Sequence, residues 1–222
     1  MKISTVERLR MDKNLSNFAI GIYKEKDVIP KNSVSMISSQ NPNGFYAEAF
    51  AYNGKIIIAF RGTNDVVNLV LNDLPMAIGQ RPNQYDSALE FYHEVRQYCK
   101  EHNIDINTHE IIFTGHSLGG SLAQLLSYTT GHLAVTFNAY GVRDIAQKII
   151  PTKNPIENVR SYGNLNDIVF YSNIDNQLGD VYVIDTNPAE TRLHLTVYHS
   201  INLMGDLQNF KIFNPVTDKK WG

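Results

Sequence analysis

Residues 110–120 read EIIFTGHSLGG, and this stretch decides the fold. It begins with a short apolar run typical of a buried strand, and a helix rich in Leu and Ala is predicted directly after it, over 117–130. The junction contains the pattern G-x-S-x-G, with Gly115 and Gly119 on either side of Ser117. The pattern alone is weak, but a strand, a sharp turn at serine and a helix together predict a nucleophile elbow.

The elbow predicts a nucleophilic role for Ser117. The flanking glycines remove side chains that would collide across the turn, so the serine hydroxyl can project clear of the sheet. The helix N-terminus favours developing negative charge, and the N–H of Leu118 is predicted to be one oxyanion donor. The alternative is a Gly-rich helix start with Ser117 as a simple N-cap. For His116 we expect packing or support of a neighbouring group of the site, and not the role of the base, because neighbouring residues on such a turn point apart.

Outward from the elbow, the pattern of the chain predicts an α/β fold. Apolar runs at 55–60 and 133–137 predict two more buried strands, and 84–101 has apolar residues at helical spacing. Residues 45–52 alternate as a half-buried strand does, and Asn53-Gly54 after them is a hairpin signal. The remaining predicted elements are a helical arm over 1–17, a helix over 143–150, strands over 157–162 and 180–185, and a loop-like tail from 205.

Strands alternating with helices predict a mostly parallel central sheet with helices on both faces, and the hairpin predicts an antiparallel edge. We expect one domain over 1–222. Catalytic residues are then expected at the carboxyl ends of the strands. This is where the motifs fall.

Composition excludes several classes of function. The 222 residues carry 20 Lys and Arg against 22 Asp and Glu, a net charge of −2, which argues against a nucleic-acid partner. The single cysteine, Cys99, excludes an intrachain disulfide and is expected in the core. A single cysteine also argues against a cysteine-based zinc site.

The start of the chain has no signal-peptide pattern, and no run approaches the roughly 20 apolar residues of a membrane span. We therefore expect a cytoplasmic protein, or one exported without a cleaved signal, as a secretion-system effector would be. A mature form that has already lost its signal is the alternative.

A second oxyanion donor is predicted at residues 60–63, FRGT, which end the buried strand 55–60. Gly62 permits a close approach of the backbone, and Thr63 offers both an N–H and a hydroxyl. The alternative is an ordinary turn at a strand end, with Arg61 in a surface salt bridge.

In folds with a nucleophile elbow, the catalytic residues follow one another along the chain in the order serine, acid, histidine. The base is therefore expected after the acid, which leaves His194 and His199 as candidates. We favour His199, because it opens an apolar segment at 199–204 that resembles a loop leading into a helix. His194 alternates within 193–197 as a strand residue does.

Asp167 is the favoured acid, since it follows strand 157–162 after a short loop and precedes an apolar run. It would fix the tautomer of the histidine and stabilise the imidazolium. The alternative is an Asx-type turn residue, and Asp175 and Asp180 are the reserves.

The motifs at 58–63, 112–120 and 135–141, together with 164–169 and His199, resemble the class 3 lipase family of fungal-lipase-like α/β-hydrolases, and its compact bacterial members most. The resemblance implies an α/β-hydrolase fold without metal or organic cofactor. It also implies hydrolysis of lipid esters, of the triacylglycerol lipase or phospholipase A type. Carried over by motif, the catalytic triad is Ser117, Asp167 and His199, and the oxyanion hole is Thr63 and Leu118.

The sequence departs from the family at 68–74, which lacks the usual Asp-Trp pair, and at 84–86, which lacks His-x-Gly-Phe. These departures concern the lid and the substrate preference. The apolar segment 66–78 is predicted to be a lid or interface-binding segment, or alternatively a core helix and a turn.

The predicted partner is a lipid or ester substrate, with transient contact to a membrane or micelle. The oligomeric state is left open. Two other functions compete: a soluble short-chain esterase or thioesterase, and a catalytically dead hydrolase fold that serves as a binding module.

Overall fold

The computed structural model describes residues 4–23, 26–62, 82–149, 158–184 and 209–214. The strands in these ranges are β1 (Val34–Gln40), β2 (Tyr46–Tyr52), β3 (Lys55–Phe60), β4 (Glu110–His116), β5 (Leu133–Phe137), β6 (Val159–Asn164), β7 (Asp180–Ile184) and β8 (Lys211–Ile212). The helices are α1 (Thr5–Gly21), α2 (Tyr85–Glu101), α3 (Leu118–Thr130), α4 (Arg143–Ile149) and α5 (Ile168–Tyr171).

The strands form one sheet in the order in which they occur in the chain, from β1 to β8. Strands β3 to β7 are parallel, and the pairs β1–β2, β2–β3 and β7–β8 are antiparallel. Asn53 and Gly54 have φ values of 49° and 70°, which a two-residue hairpin of the I′ kind requires. The predicted hairpin, the antiparallel edge and the mostly parallel sheet are confirmed.

Two apolar layers cover the sheet. The parallel strands follow one another in sequential order, and right-handed crossovers in such a sheet place the connecting helices on one face. On this face α2, α3 and α4 pack against residues such as Ile56 and Ile58. The side chain of Ile57 points to the other face, where α1 supplies Leu15 and Phe18. Helices on both faces are therefore confirmed, with α1 as the cover of the second face among the described residues.

Helix α1 is an integral layer of the fold, so the prediction of a helical arm over 1–17 was wrong in its extent and its role. A capping box starts the helix: Ser4 Oγ accepts from the Glu7 N–H at 3.2 Å, and the Glu7 carboxylate accepts from the Ser4 N–H at 3.0 Å. The fully buried Asp12 accepts from the guanidinium of Arg160 at 2.5 and 2.8 Å and from Tyr162 Oη at 2.7 Å. These bonds fasten the helix to β6.

Other predictions are confirmed with shifted bounds. Strand β6 runs to Asn164, past the predicted end at 162, because Gly163 and Asn164 pair with β7 although they resemble loop residues in the sequence. The sequence analysis missed β1, whose serines hide the strand pattern, and it read the tail from 205 as loop although β8 pairs with β7. Cys99 is fully buried in the core, as expected.

Within the described ranges, no helix is long and apolar enough to cross a membrane. The same part of the chain contains no cluster of His, Cys, Asp and Glu suited to a metal ion. The expectation of one domain over 1–222 includes stretches outside the described residues and stays a prediction.

Candidate active site

Ser117 stands between β4 and α3 in a strained backbone conformation, with φ 58° and ψ −129°. Its N–H donates to the carbonyl of Phe137 at 3.1 Å, and its carbonyl accepts from the N–H of Ser121 at the same distance. Such a conformation costs on the order of 1–3 kcal/mol and persists only where the surroundings impose it. Here the neighbouring strand β5 and the first turn of α3 impose it.

The two glycines of the elbow stand where the surrounding backbone leaves no room for a Cβ atom. A Cβ on Gly115 would lie 2.4 Å from the carbonyl of Gly119, and one on Gly119 would lie 2.1 Å from the carbonyl oxygen of Phe60. The start of α3 therefore presses directly against the ends of β3 and β4. This contact brings the helix N-terminus under the serine.

The side chain of Ser117 is fully buried, and its Oγ has no hydrogen-bond partner in the described part of the chain. Leu118 is the first residue of α3, so its N–H has no acceptor within the helix. The positive end of the helix dipole lies at this point and favours negative charge. The arrangement suits the stabilisation of an oxyanion next to Ser117.

Gly62 lies directly beside the nucleophile. A Cβ on Gly62 would be 3.2 Å from Ser117 Cβ and 2.7 Å from the carbonyl oxygen of His116. Residues 60–62 of the FRGT motif and the elbow, far apart in the sequence, therefore meet. The guanidinium of Arg61 lies 4.8 Å from the ring centre of Tyr46, a cation–π contact.

Asp167 is fully buried just past the end of β6, where it caps α5. Its Oδ1 accepts from the N–H of Val169 at 2.8 Å, and its own N–H donates to the carbonyl of Asn164 at 3.0 Å. The side chain thus makes the Asx-type turn that was the alternative to a catalytic role. One carboxylate can both cap a helix and orient a histidine, so the two interpretations are compatible.

The ends of β4 and β6 bring Ser117 and Asp167 to the same edge of the sheet. One strand, β5, separates them, which corresponds to about 10 Å at a spacing of ~4.8 Å per strand. A histidine side chain can bridge such a gap, because it bonds one residue through each ring nitrogen.

Asn138 is a residue of the site to which the sequence analysis assigned no role. It has φ 45°, its N–H donates to the carbonyl of Tyr162 at 2.8 Å, and its Oδ1 accepts from the N–H of Asn164 at 3.0 Å. It thereby ties the end of β5 to the end of β6. An asparagine directly after a buried strand was the available signal.

Tyr23, just after α1, is a second residue that the sequence analysis missed. Its Oη accepts from the N–H of Gly62 at 2.7 Å and lies 3.5 Å from His116 Nδ1. Burial raises the pKa of Tyr23 far above its ordinary value, so the hydroxyl is neutral at ordinary pH. His116 is buried and packs edge-on against the Tyr23 ring, in keeping with the packing expected of it.

Several predicted residues lie outside the described residues: Thr63, His194, His199 and the segment 66–78. The reserve acids are in less suitable places. Asp175 is exposed on a 3-10 turn, and Asp180 is exposed at the amino end of β7, at the edge of the sheet opposite Ser117.

A strained serine between a parallel strand and a helix, with glycine packing on both sides, defines the α/β-hydrolase class of proteins. The chain belongs to the phospholipase-like family described as the Tle-like phospholipase domain, whose model matches residues 24–185.

The chain is also similar to a curated phospholipase. The chain is 33% identical over 102 residues to an extracellular phospholipase A1 of Serratia liquefaciens, a match that covers 46% of the chain and 29% of that protein. The chain thus spans less than a third of the length of this curated relative.

Solved structures share the fold. A lipase II from Rhizopus niveus superimposes with a TM-score of 0.58 at 15% identity, covering 83% of both chains. A mono- and diacylglycerol lipase from Aspergillus oryzae superimposes with a TM-score of 0.58 at 13% identity, covering 96% of this chain and 87% of the other. The α/β-hydrolase fold is therefore confirmed.

Proposed function

We propose that the chain is a serine carboxylic ester hydrolase that cleaves lipid esters through an acyl-enzyme on Ser117. The conformation of Ser117, at φ 58° with its Oγ unpartnered among the described residues, carries this proposal. Packing of a small buried side chain does not by itself require a strained backbone at that residue. Strain of this kind is typical of functional sites.

In the proposed mechanism His199 takes the proton of Ser117 as the hydroxyl attacks the ester carbonyl. The N–H groups of Thr63 and Leu118 hold the oxyanion, and one such donor is typically worth about 3 kcal/mol. The alcohol then leaves with the proton from His199. Water, activated by the same histidine, attacks the acyl-enzyme and releases the fatty acid. Asp167 orients the imidazole and stabilises its charge.

For the substrate we propose the carboxylic ester of a phospholipid, in a reaction of the phospholipase A type. The family carries the description of a phospholipase domain, and the Serratia relative is named a phospholipase A1. Triacylglycerol is the second candidate, favoured by the fold shared with an acylglycerol lipase. With a net charge of −2, contact with a lipid surface would be transient and apolar in origin.

The test compares the wild-type protein with Ser117→Ala, and with Ser127→Ala as a matched control from the same helix region. Each protein is incubated with a fluorophosphonate probe and then assayed on p-nitrophenyl butyrate, triacylglycerol and phospholipid vesicles. We expect labelling and turnover in the wild type and the control, loss of both in Ser117→Ala, and release of fatty acid from phospholipid. Turnover of the butyrate ester alone would support a short-chain esterase. A folded wild type without labelling or turnover would support a binding module.

The base is tested by His199→Asn against His194→Asn. We expect the His199 variant to lose about 10³-fold or more in kcat and the His194 variant to retain activity. The reverse result would assign the base to His194.

A further inference from the structure

Tyr23 lies outside residues 24–185, the part of the chain that the family model matches. It follows α1, which also precedes the matched segment. Its hydroxyl nevertheless holds a backbone group beside the nucleophile. The part of the chain before the family domain therefore reaches the candidate active site.

The contact is specific in geometry. The N–H of Gly62 donates to Tyr23 Oη at 2.7 Å. The point where a Cβ of Gly62 would stand is 2.4 Å from this oxygen and 3.2 Å from Ser117 Cβ. Tyr23, Gly62 and Ser117 thus pack around one point, and the glycine is the only residue type that fits between the other two.

Helix α1 gives this hydroxyl a fixed position. Asp12 is bonded to Arg160 and Tyr162 of β6, and the carbonyl of Leu15 accepts from Thr114 Oγ1 of β4 at 3.2 Å. The N–H of Tyr23 donates to the carbonyl of Ile20 at 2.9 Å, which continues the helix end to this residue. Tyr23 therefore fixes Gly62 relative to the same sheet that carries Ser117.

We propose that Tyr23 is a positioning residue for the oxyanion loop, by which we mean Arg61 and Gly62. Its hydroxyl accepts from the N–H of Gly62 and so holds the peptide between Arg61 and Gly62 beside Ser117, directly before the residue to which the proposed function assigns an oxyanion donor. This inference rests on the proposed function. A displacement of about 1 Å at such a site can lower the rate by about 10²-fold, so one hydrogen bond that fixes the loop has a measurable effect.

The test uses Tyr23→Phe, which removes the hydroxyl and keeps the ring against His116. Tyr52→Phe is the matched control, because Tyr52 Oη accepts from Asn14 of α1 at 2.9 Å and lies on β2, away from the elbow. Active sites of the full chain are counted with a fluorophosphonate. For p-nitrophenyl butyrate, kcat is expressed per counted site, and KM is determined in the same assay. The inhibition constant of a boronic acid, whose tetrahedral adduct with serine carries an oxyanion, is measured as well.

We expect Tyr23→Phe to lower kcat per site by roughly tenfold or more, with KM little changed and boronate binding weakened by a similar factor, since losing a whole oxyanion donor costs about 10²–10³. Tyr52→Phe should keep kcat per site. A purely structural role of Tyr23 would reduce the number of countable sites and leave kcat per site unchanged, and this result would overturn the proposal.

If Tyr23→Phe does not fold, 4-fluorophenylalanine at position 23 fills the space of the hydroxyl but accepts hydrogen bonds poorly, and the same two outcomes apply to it. Failure of the wild type to label would refute the proposed function, and this inference with it. Labelling of the wild type with unchanged kcat in the Tyr23 variants would refute this inference alone.

Discussion

The side-chain oxygen of Asn138 accepts a hydrogen bond from the backbone N–H of Asn164 at 3.0 Å. Both residues are fully buried. The bond joins the end of β5 to the end of β6. The N–H of Ser117 donates to the carbonyl of Phe137, the last residue of β5, and the N–H of Asp167 donates to the carbonyl of Asn164, the last residue of β6. The candidate nucleophile and the candidate acid are thus linked by three hydrogen bonds and the backbone between them.

Asn138→Ala should uncouple the two strand ends. It leaves a buried N–H without its acceptor, which costs about 1–3 kcal/mol, and places alanine at φ 45°. We expect a lower free energy of unfolding in urea together with a lower kcat per active site. Asn53→Ala is the control, since Asn53 has φ 49° in an exposed hairpin and should lose stability without losing kcat. An unchanged kcat in Asn138→Ala would show that the bond does not matter for catalysis.

Asp167→Asn separates the two interpretations of that residue. The amide oxygen of asparagine can still cap α5 through the Val169 N–H, so the melting temperature should change little. Loss of the negative charge should lower kcat by up to about 10⁴-fold, because the histidine then adopts the wrong tautomer.

Asp175→Asn serves as the comparison, because Asp175 is exposed. It should be as active as the wild type. Full activity in Asp167→Asn would leave only the turn role for this residue.

Gly119→Ala should inactivate the protein. The added Cβ would stand 2.1 Å from the carbonyl oxygen of Phe60, so the end of β3 must move away from the elbow. Overpacking of this kind typically costs about 1–3 kcal/mol or more. Gly54→Ala, at φ 70° in open space, should cost about 1–2 kcal/mol and keep activity. Thermal unfolding and ester turnover measure both effects, and an active Gly119→Ala would contradict the assigned contact.

The buried ion pair between Asp12 and Arg160 should cost more to break than to replace. Asp12→Leu leaves the guanidinium of Arg160, whose side chain is 18% exposed, without its carboxylate, and we expect a loss of about 3–5 kcal/mol.

The double variant Asp12→Leu/Arg160→Met should recover much of that loss, since no unpaired charge remains. Urea unfolding of the wild type, the single and the double variant measures the difference. A double variant as unstable as Asp12→Leu would show that the pair itself stabilises α1.

His132 should make stability depend on pH. Burial, and then the charge of Arg96, lower the pKa of His132 below its ordinary 6.5, and its Nε2 lies 3.0 Å from Tyr92 Oη. The unfolded chain therefore binds the proton more readily, so the free energy of unfolding falls as the pH drops below 6.5 towards the lower pKa of the folded state. Because the ring is partly exposed, the effect is screened by solvent.

His132→Gln should flatten this part of the stability curve, measured by urea unfolding between pH 5 and 8, the range in which histidine titrates. His93→Gln, on the exposed side of α2, controls for the loss of an imidazole. A curve unchanged in His132→Gln would assign the dependence to other groups.

Much of the fold could be predicted from the sequence, because its main signals are local. The apolar runs of β3 and β5 are continuous, the elbow is a run of six residues, and Asn53-Gly54 specifies its own turn. Strand β1 was missed because its serines, at 35, 38 and 39, break the alternation of apolar and polar residues on an edge strand that has no fully buried residue. Gly163 and Asn164 were assigned to a loop because their strand conformation comes from pairing with β7.

The sequence by itself determined the class of the sheet and the elbow at Ser117, since these depend on periodicity, turn chemistry and the steric need for glycine. Only the tertiary structure decided that Tyr23 holds Gly62, that Asn138 ties β5 to β6, and that α1 is a layer of the fold. These contacts join residues that lie far apart in the chain. Nothing in the sequence around these polar groups indicates their partners. They form specific hydrogen bonds because folding buries them next to one another.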